Sequence, residues 1–165
     1  MVQQAGCASG VQRVRLAFES MNAHKILIVE DNLAVQRAYQ HKLEARGYTV
    51  LIAIDGSEAV HEMRRQRPDL LLVDLNLPDK DQFSPVQWDG FTVIEWMHRL
   101  HADHHVPFLV LTSSKDPRHR ERAEKLGAAA FFHKSADFRE VLDAIDKVFA
   151  TAKPKPEAGA GGGTP

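Results

Sequence analysis

Residues 70–78 of this 165-residue chain are LLLVDLNLP, a run of four apolar residues followed by an aspartate and a loop that ends in proline. A short run of this kind, with no polar position in it, is typical of a strand buried on both faces of a parallel sheet. Asp74 comes directly after the run, so its carboxylate is predicted to lie at the carboxyl end of that strand. In open sheets of this class, ligands bind at the carboxyl ends of the strands.

Similar apolar runs lie on both sides of this one, and amphipathic stretches separate them. The other runs are residues 26–29, 50–54, 106–111 and 130–132. Helices are predicted at residues 33–45, 57–66, 89–101 and 116–126, and a fifth from residue 138, where apolar residues recur at helical spacing up to residue 149. Five strands, each followed by a helix, predict a doubly wound, flavodoxin-like α/β fold, in which five helices flank a five-stranded parallel sheet.

Composition and charge are those of an ordinary soluble domain. Apolar residues make up 44% of the chain and the net charge is −1, so the overall field should not attract nucleic acid or anionic membrane. The single cysteine, Cys7, cannot form an internal disulfide, which favours a reducing cytoplasm. No apolar stretch approaches the roughly 20 residues of a membrane span, and the first 20 residues lack the order of a signal peptide.

The predicted domain covers residues 23–150 and has an extension at each end. Residues 1–22 show no clear periodicity and are expected to be a weakly ordered extension, with translation beginning either at Met1 or at Met21. Residues 151–165 are rich in proline, glycine and alanine, a composition that predicts a disordered tail.

Polar residues with useful chemistry follow four of the five predicted strands. Glu30 and Asp31 follow the first, Asp74 the third, Thr112 the fourth, and Lys134 comes shortly after the fifth. Because the carboxyl ends of parallel strands meet at one edge of the sheet, we expect these side chains to lie close together.

Three carboxylates at one edge repel one another, and a low local dielectric strengthens that repulsion. A single lysine does not compensate for them, so a hard divalent cation is the expected partner, and Mg²⁺ prefers oxygen ligands while keeping several waters. A phosphoryl group suits the remaining positions, since Thr112 and Lys134 can bind its other oxygens. Asp74 is then the expected nucleophile, because a carboxylate can form an acyl phosphate.

In these features the chain resembles the receiver domains of bacterial two-component response regulators, such as the chemotaxis response regulator. The resemblance extends over about residues 24–150. It rests on four segments that occur in order at strand ends: Ile28-Val29-Glu30-Asp31, Val73-Asp74-Leu75-Asn76-Leu77-Pro78, Leu111-Thr112-Ser113-Ser114 and Phe131-Phe132-His133-Lys134.

The resemblance implies a role for each residue of the cluster. Asp74 would accept a phosphoryl group from a sensor histidine kinase or phosphotransfer protein, or slowly from small phosphodonors, with help from Thr112 and Lys134. The ligands of Mg²⁺ would be Glu30 (largely through water), Asp31, Asp74 and the backbone carbonyl of Asn76. Beyond promoting its own phosphorylation and dephosphorylation, the chain would not be an enzyme.

The resemblance also implies a conformational switch. Thr112 would move to the phosphoryl group and Phe131 would turn inward, while Asn76 and Ser114 would tune dephosphorylation. Output would pass through the fourth helix, fifth strand and fifth helix to a separate protein, or the phosphate would be relayed onward. No direct contact with nucleic acid or membrane is expected.

The chain departs from the family pattern in three places. The loop after Asp74 is longer than usual, with the extra residues running roughly from Lys80 to Gln87. Ser135 follows Lys134 where the family has proline after a cis bond; a non-proline cis bond costs about 3 kcal/mol, so the bond is either held by packing or trans. The switch aromatic, Phe131, lacks the hydroxyl of tyrosine.

Two other functions stay open at this point. One is a pseudo-receiver that keeps the fold, is not phosphorylated and acts as a protein-binding adaptor with no need of Mg²⁺. The other is a phosphoaspartate hydrolase of the haloacid dehalogenase type, which expects a second aspartate at the position that Asn76 holds here. A histidine cluster, His98, His101, His104 and His105, is interpreted as a solvated helix face and not as a metal site.

Overall fold

The computed structural model describes residues 24–78, 87–101 and 106–151. Five parallel strands form a single sheet in the order β2-β1-β3-β4-β5. The strands are β1 (Lys25–Val29), β2 (Thr49–Ala53), β3 (Leu70–Val73), β4 (Phe108–Thr112) and β5 (Ala130–His133). The predicted five-stranded, doubly wound fold is therefore confirmed.

A helix follows each strand. The helices are α1 (Leu33–Glu44), α2 (Gly56–Gln66), α3 (Gly90–Leu100), α4 (Pro117–Lys125) and α5 (Phe138–Thr151). The first four begin behind a side chain that accepts a hydrogen bond from a backbone N–H of the first turn, which satisfies a donor that has no partner within the helix. These capping residues are Asn32, Asp55, Asp89 and Asp116.

The sheet buries both of its faces, and alternate residues of each strand point to opposite sides. One face packs against α1 and α5, where the buried residues include Tyr39, Leu43 and Ile145. The other packs against α2, α3 and α4, where they include Met63 and Ile94. All four residues of β3 are buried, which explains why its sequence is uninterrupted apolar residues.

The strand and helix boundaries differ from the predictions by one or two residues. The predicted run 106–111 becomes β4 from residue 108, because Pro107 has no N–H to give to the ladder, and the strand extends to include Thr112. Ile54 was predicted to end β2 but lies outside it, exposed, with its N–H donated to Glu58 Oε2 at 2.8 Å. Asp89 and Asp116 cap their helices instead of starting them.

Some of the predictions lie outside the described residues. These are the N-terminal extension, the C-terminal tail beyond residue 151, the loop from Lys80 to Gln87 except for Gln87 itself, and His104 and His105. In the part of the chain that is described, no helix combines the length and the apolar character needed to cross a membrane.

Candidate functional site

Three carboxylates converge at the carboxyl edge of the sheet. Glu30, Asp31 and Asp74 each place an oxygen within 4.8 Å of the other two. Glu30 and Asp74 are only 1% and 2% exposed, whereas Asp31 is exposed. The site thus consists of two buried carboxyl groups and a third at the surface.

Backbone hydrogen bonds explain why Glu30 and Asp74 lie side by side. The N–H of Asp74 donates to the carbonyl of Val29 at 2.9 Å, and the N–H of Glu30 donates to the carbonyl of Ala53 at 3.0 Å. Both residues therefore continue the parallel ladder one step beyond their strands. Their carboxylates are held at the edge by the same interactions that hold the sheet.

Lys134 supplies the positive charge between the two buried carboxylates. Its Nζ lies 2.7 Å from Asp74 Oδ2 and 2.8 Å and 2.7 Å from the two carboxylate oxygens of Glu30. Its backbone N–H donates to the carbonyl of Thr112 at 3.0 Å, which ties the residue to the end of β4. No peptide bond is cis within the described ranges, so the bond between Lys134 and Ser135 is trans.

The pKa values at this cluster are shifted by burial and by the ion pairs. Burial alone would lower the pKa of Lys134, but its hydrogen bonds with Asp74 and Glu30 outweigh burial, so the pKa is raised and the ammonium stays charged. Burial raises the pKa of Glu30 despite the opposing effects of Lys134 and of the Asn32 N–H. One ammonium therefore compensates only part of the negative charge.

A chain of hydrogen bonds leads from Asp74 through Asn76 and Thr112 to Ser114. Thr112 is fully buried, and its hydroxyl accepts a hydrogen bond from the N–H of Ser114 at 3.2 Å. The side-chain amide of Asn76 lies 3.5 Å from that hydroxyl and 3.3 Å from Ser113 Oγ, and its backbone N–H donates to Asp74 Oδ1 at 3.1 Å. The Ser114 hydroxyl accepts from the N–H of Asp116, at 3.3 Å, just before α4.

Phe131, the predicted switch aromatic, is buried in the core on the side of α2, α3 and α4. The guanidinium of Arg120 lies over its ring, with its central carbon 4.6 Å from the ring centroid, and donates to the carbonyl of Phe131 at 3.4 Å. Arg120, a residue of α4, thus covers one face of the aromatic ring. Its role in switching stays a prediction.

Two residues that received no role from the sequence help to shape the site. A Cβ at Gly90 would lie 2.2 Å from the carbonyl oxygen of Asp74, so only glycine allows α3 to begin this close to the acidic residue. Gln36 is buried in α1 and its amide donates to the carbonyl of Glu30. The Asp89-Gly90 pair is a turn signal in the sequence, whereas nothing in the helical pattern of α1 distinguishes Gln36.

One histidine of the predicted solvated face lies inside the fold. His101 was interpreted as part of a solvated helix face, but it is buried. It follows Leu100, the last residue of α3, and caps that helix through its backbone N–H, donated to the carbonyl of Met97 at 3.0 Å. His98 packs edge-on against Phe108, with ring centroids 5.9 Å apart.

The donor set fits a hard divalent cation. Its atoms are carboxylate oxygens with one ammonium beside them, and hard cations such as Mg²⁺ prefer oxygen ligands. A cavity of about 560 Å³ borders Asp31 and Asn76, with Trp88 and His119 also in its wall. The cluster can therefore be reached from solvent on the side of Asp31.

Comparison with known proteins matches residues 26–146 to the family model of the response regulator receiver domain. The chain is 27% identical to the polar-differentiation response regulator DivK of Brucella anthropi, over 77% of this chain and 97% of that protein. It is 31% identical to the probable transcriptional regulator ycf27 of Porphyridium aerugineum, over 77% of this chain and 51% of that protein, so it spans about half the length of that relative. The solved non-phosphorylated HemR receiver domain of Leptospira biflexa has a TM-score of 0.68 and 32% identity, over 81% of this chain and 99% of that one.

Proposed function

This chain belongs to the family of response regulator receiver domains, and we propose that it receives a phosphoryl group on Asp74 from a histidine kinase or a phosphotransfer protein. The observation that carries the proposal is the setting of Asp74. Its carboxylate is buried, pairs with Lys134 Nζ at 2.7 Å, and shares a 4.8 Å cluster with two further carboxylates. A carboxylate paired with a lysine, beside a site for a divalent cation, is suited to attack phosphorus.

Receiver domains generally bind Mg²⁺ at an acidic pocket, and the acidic cluster of this chain offers the matching ligands. Glu30, Asp31, Asp74 and the backbone carbonyl of Asn76 would hold the ion, which supplies positive charge for the incoming phosphoryl oxygens. In the transfer, an oxygen of Asp74 forms a bond to phosphorus while the bond from phosphorus to the donor nitrogen breaks and its electron pair stays on the donor. Lys134 and Thr112 bind phosphoryl oxygens.

The conformational response that we propose runs through Thr112 and Phe131. The hydroxyl of Thr112 accepts a hydrogen bond from Ser114 N–H, and moving to the phosphoryl group would break this bond and shift the segment between β4 and α4. Phosphorylation would thereby change the balance between two conformations of the β4–α4 segment and of Phe131. Asn76 and Ser114, at the rim, would set the lifetime of the phosphate.

Two different surfaces would bind partners. The phosphodonor has to reach the carboxyl edge, where Leu33 and Ile54, 55% and 41% exposed, are the large apolar side chains most open to solvent among the described residues. Output would leave through α4, β5 and α5 to a separate protein, or by relay of the phosphate. The proposed setting is the cytoplasm, and the proposed chemistry is limited to the phosphorylation and dephosphorylation of the chain itself.

The test is phosphorylation of the Asp74→Asn variant by acetyl phosphate or by a purified kinase, read by intact mass and phosphate-affinity gels. We expect the variant to gain no phosphate, because an amide cannot form the acyl phosphate. Asp143→Asn is the control, since Asp143 is an exposed carboxylate on α5 that pairs with Arg46 at 3.6 Å, and it should be labelled normally. Labelling of the Asp74→Asn variant at another residue would contradict the assignment. A folded wild-type protein that takes no phosphate would favour the adaptor alternative.

A further inference from the structure

A buried side-chain amide in α1 contacts the backbone of the acidic cluster. Gln36 is 5% exposed, and its Nε2 donates a hydrogen bond to the backbone carbonyl of Glu30. A buried amide of this kind is costly to remove from water unless it is hydrogen-bonded, so its placement next to the acidic loop calls for a reason.

The carbonyl that Gln36 binds belongs to the peptide that joins Glu30 to Asp31. A peptide unit is planar, so fixing its carbonyl also fixes the N–H and the Cα of the following residue. The N–H of Glu30 is held separately by Ala53, and Asn32 N–H donates to Glu30 Oε1 at 3.1 Å. The hydrogen bond from Gln36 therefore restrains the direction in which the side chain of Asp31 leaves the backbone.

Asp31 depends on its backbone more than its two neighbours in the cluster do. Glu30 and Asp74 are buried and paired with Lys134, whereas Asp31 is exposed and its carboxylate accepts no hydrogen bond from the residues that the structure describes. Its carboxylate nevertheless lies in the cluster with Glu30 and Asp74. The position of this carboxylate therefore depends on the backbone that carries it.

We propose that Gln36 is a positioning residue for the divalent cation, acting through the peptide between Glu30 and Asp31. The inference rests on the Mg²⁺ site of the proposed function. Groups that orient metal ligands without touching the metal typically change metal affinity by about 10–100-fold when they are removed. Gln36 would raise affinity by keeping the exposed carboxylate in place before the ion arrives.

The experiment is titration of the full chain with MgCl₂ by isothermal calorimetry, with the Gln36→Met variant, which keeps the length of the side chain and removes its donor. We expect about tenfold weaker Mg²⁺ binding. Gln40→Met is the matched control, because Gln40 lies one turn later on the same helix and donates to Glu44 Oε1 at 2.8 Å on the surface. Its Mg²⁺ affinity should equal that of the unsubstituted protein.

A second variant and an unfolding control together separate positioning from simple destabilisation. Gln36→Asn retains the amide but is one methylene too short to reach the carbonyl in the same way, so it should lose Mg²⁺ affinity by a similar factor. Thermal unfolding with EDTA establishes that each variant is folded. Mg²⁺ binding within twofold of the unsubstituted protein in a folded Gln36 variant would overturn the inference, as would a lack of Mg²⁺ binding by the unsubstituted protein. If weakened binding is found but Asp74 takes no phosphate, the inference stands and the proposed phosphorylation fails.

Discussion

Replacing Lys134 by methionine tests the balance of charge at the carboxyl edge. Methionine has a similar length and no charge, so the change leaves Glu30 and Asp74 buried without their shared ammonium. Removing one partner of a buried ion pair typically costs about 3–5 kcal/mol. The side chain of Lys134 is 20% exposed, so some water reaches the pair, and we expect the lower end of that range, about 3 kcal/mol.

The assay is urea and thermal unfolding at neutral pH with EDTA present, monitored by circular dichroism. A loss of about 3 kcal/mol corresponds to a Tm about 10 °C lower for a domain of this size. The matched control is Lys125→Met, because Lys125 Nζ lies 2.7 Å from Glu121 Oε1, the same separation as in the buried pair, but the side chains are 73% and 65% exposed. We expect the control to change stability by less than about 1 kcal/mol.

Two conditions should reduce the loss in the Lys134→Met variant. Burial already raises the pKa of Glu30, and without the ammonium this shift grows, so the destabilisation is present at high pH and declines as the carboxyl takes up a proton at low pH. Mg²⁺ should also restore stability, because it replaces the missing positive charge. If Lys134→Met costs no more than Lys125→Met at neutral pH with EDTA, the reasoning from buried charge is refuted.

Two further predictions concern the packing and the titration of the core. Gly90→Ala should destabilise the fold by about 3 kcal/mol and slow the labelling of Asp74, because a Cβ would meet backbone atoms of Asp74 and Leu75 that cannot move aside. Gly127 has a φ of +87°, and a Cβ added there would meet no atom of the described residues within 4 Å, so Gly127→Ala should cost about 1 kcal/mol in unfolding experiments and leave labelling unchanged. Equal labelling of the two variants would contradict the role of Gly90. Burial, and then the charge of Glu30, raise the pKa of Tyr39 to about 12. Ionisation of Tyr39 is therefore less favourable in the folded state, so about 3 kcal/mol of stability should be fully present below pH 10 and lost as pH rises to about 12. Tyr39→Phe should abolish this loss in alkaline unfolding curves. An unaltered curve would contradict the shift.

The sequence predicted the fold because a strand that is buried on both faces of the sheet has an uninterrupted run of apolar residues in its own sequence. β3 was predicted at its observed bounds, since a strand covered on both faces has no polar position to blur the pattern. The ends of β4 were wrong by one or two residues. Hydrophobicity marks residues 106–111, but the ladder depends on which N–H groups can donate, and Pro107 has none.

The sequence also predicted which residues would share the carboxyl edge, because in a parallel sheet the order of strands and their ends determines the neighbours. It did not predict Gln36, whose polar side chain suggests the solvent side of an amphipathic helix. It did not predict the burial of His101 either, since that depends on how α3 ends against the rest of the fold.

The residue types at the edge and the class of fold follow from the sequence alone, because both depend on patterns between near neighbours in the chain. Only the tertiary structure decided that Glu30 and Asp74 are buried while Asp31 is exposed, and that one ammonium serves both buried carboxylates. Lys134 lies 104 positions from Glu30 and 60 from Asp74, and each pair is joined at hydrogen-bonding distance. Charge interactions depend on distances in space and on exclusion of water, and neither quantity exists until the strands have assembled.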